Sequence, residues 1–264
     1  MLSCGLDLDG KLLALAAASH SGEDFHVAGV REILSRAGLD PGALQCPPDL
    51  PLGEPARWAL LRRGGGPDRL HMNCSGKHAA MLATCVAAGW PTATYRDPDH
   101  PLHAEIRRQL ELLAGEQVAA TGVDGCGTPV FAISVLGVAR AFRSMVRAVP
   151  GSAERRVADA MRAHPEWTSG SARSERALMA AVPGLLVKSG AEGVQAFALA
   201  DGRAGAFKID DGAQRAIPAL TVALLRALGT GEGLLADVGA LAAPPVLGGG
   251  EKVGEIRVRI HAES

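Results

Sequence analysis

Asn73-Cys74-Ser75-Gly76-Lys77-His78 stands where a loop turns into a helix. Residues 77–88 have helical composition (Ala, Met, Leu, Val) and stop at Gly89-Trp90-Pro91. A helix start presents unpaired backbone N–H groups, which favour anions and lower the pKa of a nearby thiol. Further on, Asp124-Gly125-Cys126-Gly127 is a second small-residue loop bearing a cysteine, directly before Thr128-Pro129. Two thiolates from two such loops can share one Zn²⁺, with Lys77 or His78 as a further ligand. The same pattern also suits two inert cysteines at tight packing points. A phosphate loop fits less well. His71 stands where a glycine belongs five positions before Gly76, and His78 replaces the required Ser or Thr.

The rest of the composition narrows the setting. A chain of 264 residues buries a substantial core, as one large domain or two closely packed lobes. The formal net charge of −1 removes any electrostatic case for nucleic acid or anionic membranes as partners. Aromatic residues are only 3%, so the core is built from aliphatic side chains and few rings remain to stack a base or sugar. Of 27 basic residues five are lysines, at 11, 77, 188, 208 and 252. In such an Arg-biased chain a lysine in an apolar setting is informative, because burial can make it a neutral base while Arg stays charged. Cysteines at 4, 46, 74, 85 and 126 are odd in number, and the first residues lack a basic and apolar leader. Both features argue against a disulfide framework and point to a reducing cytoplasm. No run reaches the ~18 apolar residues of a membrane span.

Along the chain, 12–18 is an apolar run ending in Ser19-His20-Ser21-Gly22-Glu23, an edge that delivers small hydroxyl side chains to a site. Helices are predicted over 24–37, 54–63, 77–88, 102–114, 130–146, 153–164, 173–181 and 214–228. The prolines at 47, 48, 51 and 55 make 45–55 an extended loop. Short apolar segments at 185–188, 194–200 and 204–209, joined by Gly190 and Asp201-Gly202, read as antiparallel hairpins. An alternating segment at 253–261 reads as a closing strand. Helices in the middle and strands toward the C-terminus predict an α+β protein, a helical lobe against an antiparallel sheet.

Residues 73–79 and Gly122-Val123-Asp124-Gly125-Cys126 resemble the signature of the rhizobial-type L-asparaginase family. Further blocks agree in order and rough spacing: 18–23, 97–101, Ala160-Met161-Arg162-Ala163-His164-Pro165-Glu166, Lys188-Ser189-Gly190 through Gly193, and Phe207 leading into 208–212. The resemblance spans nearly the whole chain. It implies an α+β fold similar to serine β-lactamases and glutaminases, with a mixed, mainly antiparallel sheet beside a helical lobe, in a single domain over 1–264. It implies hydrolysis of L-asparagine to aspartate and ammonia by Ser-Lys pairs, one of which falls on Ser19 and Lys188. It also implies one zinc per chain on Cys74, Lys77 and Cys126, substrate contacts at His20, Gly22, Glu23 and Arg173, and a homodimer.

Chemistry is consistent with that assignment. A serine is a weak nucleophile until a base takes its proton, and a lysine is such a base only when its pKa falls well below ~10.4. On the residues alone, Lys188 also reads as a snorkelling surface lysine, Ser19 as a helix cap, and Lys208 as a competitor held charged by Asp210-Asp211. Two departures stand out. The family's other pair, Ser-X-X-Lys on a helix, is not present: the residues three before the lysines are Leu8, Cys74, Leu185, Gly205 and Gly249. The expectation is therefore a chain shortened at its N-terminus relative to the family: an L-asparaginase in the leading reading, and in the alternative a non-catalytic zinc- or amide-binding remnant. Arg173-Ser174-Glu175 replaces an aromatic-like residue and an Asp, which weakens the carry-over of the substrate-carboxylate contact.

Overall fold

The computed structural model describes residues 1–261. The run at 12–18 belongs to helix α1 (Gly10–Ala16), buried on nearly every side through Leu12, Leu13, Ala14 and Leu15. A short helix without a polar face must sit inside the protein. Helices α2 (Asp24–Arg36), α3 (Glu54–Arg62), α4 (Ser75–Ala88) and α5 (Pro101–Ala114) follow, with α1, α2 and α4 packed on one another. Gly76 makes the approach of α4 to α1 possible: a Cβ there would lie 2.6 Å from the Leu15 carbonyl oxygen. The resulting core joins Leu12, Leu15, Val30, Ile33, Leu34, Leu82 and Tyr95.

The middle of the chain departs from expectation. Residues 130–146 are not one helix. Strands β1 (Ala120–Val123) and β2 (Pro129–Ala132) form a hairpin, and α6 (Val135–Arg147) begins only after it. Ser134 caps that helix, its Oγ accepting the Gly137 N–H at 2.9 Å, and a capped start excludes the preceding residues from the helix. Pro129, Val130 and Phe131 then suit an extended segment.

Helices α7 (Ala153–Ala163), α8 (Pro165–Thr168) and α9 (Ser174–Ala181) lead into the three-stranded sheet β3 (Leu186–Ser189), β4 (Val194–Ala198) and β5 (Ala204–Lys208). All its pairings are antiparallel, in the order β3-β4-β5. Alternation sorts its two faces. Val187 and Phe197 join Leu178, Val222 and Leu225 from α9 and α10 (Ile217–Ala227) on one side. Leu186 and Ala198 join Val146, Ala158 and Met161 from α6 and α7 on the other. Lys188, two residues beyond Leu186, lies on that second face.

The short helices α11 (Glu232–Leu235) and α12 (Gly239–Ala242) precede strands β6 (Pro245–Gly248) and β7 (Glu251–Glu255). The strand expected over 253–261 is displaced to β7 and pairs with β6 alone, so it does not close the main sheet. The architecture is α+β, but every ladder among the described residues is antiparallel, in sheets of two, three and two strands rather than one mixed sheet. No helix among the described residues is long and apolar enough to cross a membrane.

Candidate functional site

The turn after α1 is held by its own residues. His20 is fully buried, and its backbone N–H donates to the Asn73 carbonyl at 2.9 Å, tying this turn to the signature loop. Its Nδ1 accepts the Gly22 N–H at 3.1 Å, so Nε2 carries the proton and donates to Ser75 Oγ at 2.9 Å. Ser75 in turn donates to the Leu70 carbonyl at 2.8 Å. Burial, then the neighbouring His26 and His71, hold the His20 pKa well below its ordinary value, so the ring stays neutral. Gly22 has φ +74°, and a Cβ on it would lie 2.9 Å from Pro51 Cα. Of the residues expected to touch substrate, His20 and Gly22 make these contacts within the fold. Glu23 accepts the Ser171 N–H at 2.8 Å and, with Ser21, Asp24 and Phe25, lines a cavity of about 390 Å³.

Ser19 emerges from this turn next to Lys188. Lys188 Nζ lies 3.2 Å from Ser19 Oγ and also donates to the Ser189 carbonyl. Burial lowers the Lys188 pKa to about 8; Glu175 opposes the change and Arg173 assists it. A lysine in this state supplies a large neutral fraction near pH 8, which a solvated lysine does not. Lys208, the competing lysine, is exposed and donates to the Ile209 carbonyl.

Arg173 does not stand alone. Its Nε and Nη2 form a fork on Glu175, at 3.3 and 2.9 Å. Glu175 is 1% exposed and accepts further hydrogen bonds from Ser174 Oγ at 3.2 Å and from Ser189 Oγ. Burial alone would raise its pKa, but the Arg173 fork and charge and the Ser189 bond hold it at about 2. In the sequence Glu175 stood out only as a departure from the family's Asp, not as a site residue. Its signal was available, since an acid two residues from Arg173 at a helix start is placed to pair with it, but nothing in the pattern marked it as buried.

The cysteine cluster lies close enough for Cys74 and Lys77 to act on Lys188. Cys74 precedes α4 and Cys126 sits in the turn between β1 and β2, where the Gly127 N–H donates to the Asp124 carbonyl at 2.8 Å. One ligand atom each of Cys74, Asp124 and Cys126 lie within 4.8 Å of one another. Lys77 Nζ is 3.3 Å from Asp124 Oδ2, and Cys126 Sγ is 3.1 Å from Thr128 Oγ1. The close approach of the two thiols, helped by His78 and the Lys77 charge, holds the Cys126 pKa down, and the same approach together with burial pushes Cys74 up. Burial would lower Lys77, but the surrounding Cys74, Cys126 and Asp124 outweigh it and keep the amine charged.

The two sulfurs and the carboxylate of this set could hold a metal ion. His78 Nδ1 is 2.6 Å from the Tyr95 hydroxyl, which accepts the Gln45 N–H at 3.0 Å, while the buried Nε2 has no hydrogen-bond partner among the described residues. The expected ligands Cys74, Lys77 and Cys126 are thus brought together, and Asp124 is added to them. All five cysteines are free thiols.

Comparison with known proteins gives one assignment. The sequence model of the family described as L-asparaginase II matches residues 1–258. No curated protein matches the chain.

Proposed function

Because the chain belongs to the L-asparaginase II family, we propose that it hydrolyses L-asparagine to L-aspartate and ammonia, with Ser19 and Lys188 as its reacting pair. The observation that carries this reading is the part-buried 3.2 Å contact between Lys188 Nζ and Ser19 Oγ. Neutral Lys188 takes the Ser19 proton as Oγ attacks the side-chain amide carbon. The resulting ammonium returns that proton to the departing nitrogen, and ammonia leaves an acyl-serine. Water, deprotonated by the same amine, then releases aspartate and restores Ser19.

Arg173, with Nε and Nη2 on Glu175, keeps its remaining nitrogen for the substrate carboxylate. Glu23, at the rim of the neighbouring cavity, is suited to the substrate ammonium. Zinc held by Cys74, Lys77 and Cys126, with Asp124 alongside, would supply a fixed positive charge and tie the signature loop to the β1–β2 turn. Lys77 must shed its proton to join that set. The fold reading that accompanies this function is a single domain of the serine β-lactamase and glutaminase type, acting as a homodimer in the cytoplasm.

A second reading has its own observation. None of the lysines at 11, 77, 188, 208 and 252 follows a serine by three positions, the spacing of the other Ser-Lys pair that the resemblance implies. An amide- or zinc-binding protein without turnover would keep the site and lose the reaction. Ammonia release from L-asparagine by the purified chain separates the two. Turnover that disappears in Ser19→Ala supports the enzyme. L-asparagine binding by calorimetry without ammonia supports the binding protein, and neither signal defeats both.

A further inference from the structure

A buried carboxylate that the proposed reaction does not use sits one residue's reach from its base. Glu175 lies at the start of α9, and two elements meet on it. Arg173 grips it with two guanidinium nitrogens, and Ser189 Oγ donates to it from the end of β3. Ser189 is also the residue whose carbonyl accepts from Lys188 Nζ. The contacts therefore run without a break from Arg173 through Glu175 and Ser189 to Lys188 and Ser19.

Fixing an ion pair out of water costs free energy unless every lone pair is used. Both Glu175 oxygens are used here, one by Arg173 Nη2 and Ser189, the other by Arg173 Nε and Ser174. Such a pair is rigid, and rigidity is what an amine needs if it is to stay on one hydroxyl. The charged groups that act on Lys188 are Glu175 and Arg173 from the start of α9, and Cys74 and Lys77 from the start of α4.

We propose that Glu175 is the positioning residue of the Ser19–Lys188 pair: fixed by the Arg173 fork, its carboxylate grips Ser189 Oγ and holds the end of β3 from which Lys188 reaches Ser19. This rests on the reading of Ser19 and Lys188 as the reacting pair. Two effects are separable. The grip on Ser189 sets where the amine points, and the opposed charges of Glu175 and Arg173 set how readily it is neutral.

The test reads Lys188 directly and does not require turnover. The full chain is trace-labelled with acetic anhydride across pH 6 to 11, and the Lys188 peptide is quantified by mass spectrometry, with melting curves as the folding control. Glu175→Gln removes the charge that favours the ammonium, so the labelling midpoint falls by about one pH unit. Arg173→Gln removes the opposing charge, and the midpoint rises. Ser189→Ala keeps both charges and cuts the grip; its midpoint stays near that of the native chain while the plateau rate of the free amine rises several-fold.

A bare structural prop would move Glu175→Gln and Arg173→Gln in the same direction or not at all, and that result overturns the proposal. An unchanged plateau rate in Ser189→Ala does the same, including where Glu175→Gln fails to fold. A native midpoint in the ordinary lysine range of ~10.4 overturns the Ser19–Lys188 pairing and the role of Glu175 with it. A native midpoint near 8 with indifferent variants defeats Glu175 alone.

Discussion

Ser19 has an unremarkable serine neighbourhood except for one contact, the amine of Lys188. Burial of that amine sets the pH behaviour. The active form is the neutral one, so kcat/KM for L-asparagine is expected to rise with pH through about 8 as Lys188 loses its proton. Ser19→Ala and Lys188→Met should each lower it by about 10³-fold, and the double variant by little more, because the two act as a unit. A profile flat between pH 7 and 9 sinks the assignment. The cysteine cluster carries a separate expectation. Elemental analysis should find about one zinc per chain, lost in Cys126→Ser. Asp124→Asn should weaken binding by about 10- to 100-fold, measured against a competing chelator. Affinity should also climb with pH, because Lys77 is held charged by its neighbours and competes with the metal until it is deprotonated. A folded chain that takes up no zinc refutes the ligand set.

At the scale of elements, the site is a meeting of ends. The exit of α1 brings Ser19, the start of α4 brings Cys74 and Lys77, the β1–β2 turn brings Asp124 and Cys126, and the end of β3 brings Lys188. The packing of α4 on α1 is therefore a functional distance as well as a structural one. Gly76→Ala places a methyl 2.6 Å from the Leu15 carbonyl oxygen, against backbone that cannot swing aside. It should cost about 1–3 kcal/mol in urea unfolding and weaken both the zinc site and Ser19–Lys188 labelling together. Full stability in this variant would show that the two helices stand further apart than described. The helix expected over 130–146 failed for a local reason. An apolar run of that length carries no mark of where a strand stops and a helix begins, and only Ser134, a cap residue, recorded it. The strand expected over 253–261 failed for a different one, since alternation shows that a segment is extended but not which strand accepts it.

At the scale of the whole molecule, the bond from Ser189 Oγ to Glu175 joins the end of β3 to the start of α9, and the Arg173 fork keeps that carboxylate charged. Glu175 is held at about 2 against an ordinary 4.5, so its contribution to stability is present above pH 4.5 and is lost as pH falls from there toward 2. The loss should amount to about 3 kcal/mol at most, read as a falling urea midpoint over that window. Glu175→Gln should flatten the decline, and an undiminished decline would place the acid sensitivity elsewhere.

How much of this was legible beforehand divides cleanly by range. The family, the α+β class, the strands near 186–208 and the helices at 24–36, 54–62 and 101–114 follow from side-chain period, turn residues and ordered motifs, all of which act over a few positions. The signature loop belonged to that set as text, but its use did not. Spacing alone favoured packing thiols at Cys74 and Cys126, and it left Lys188 and Ser19 169 residues apart. Only the packed chain brings the amine to the hydroxyl, turns His20 inward, adds Asp124 to the sulfurs and buries Glu175. The reason is physical: burial and the proximity of distant side chains are what shift a pKa or assemble a ligand set, and both are properties of the folded core rather than of any local stretch.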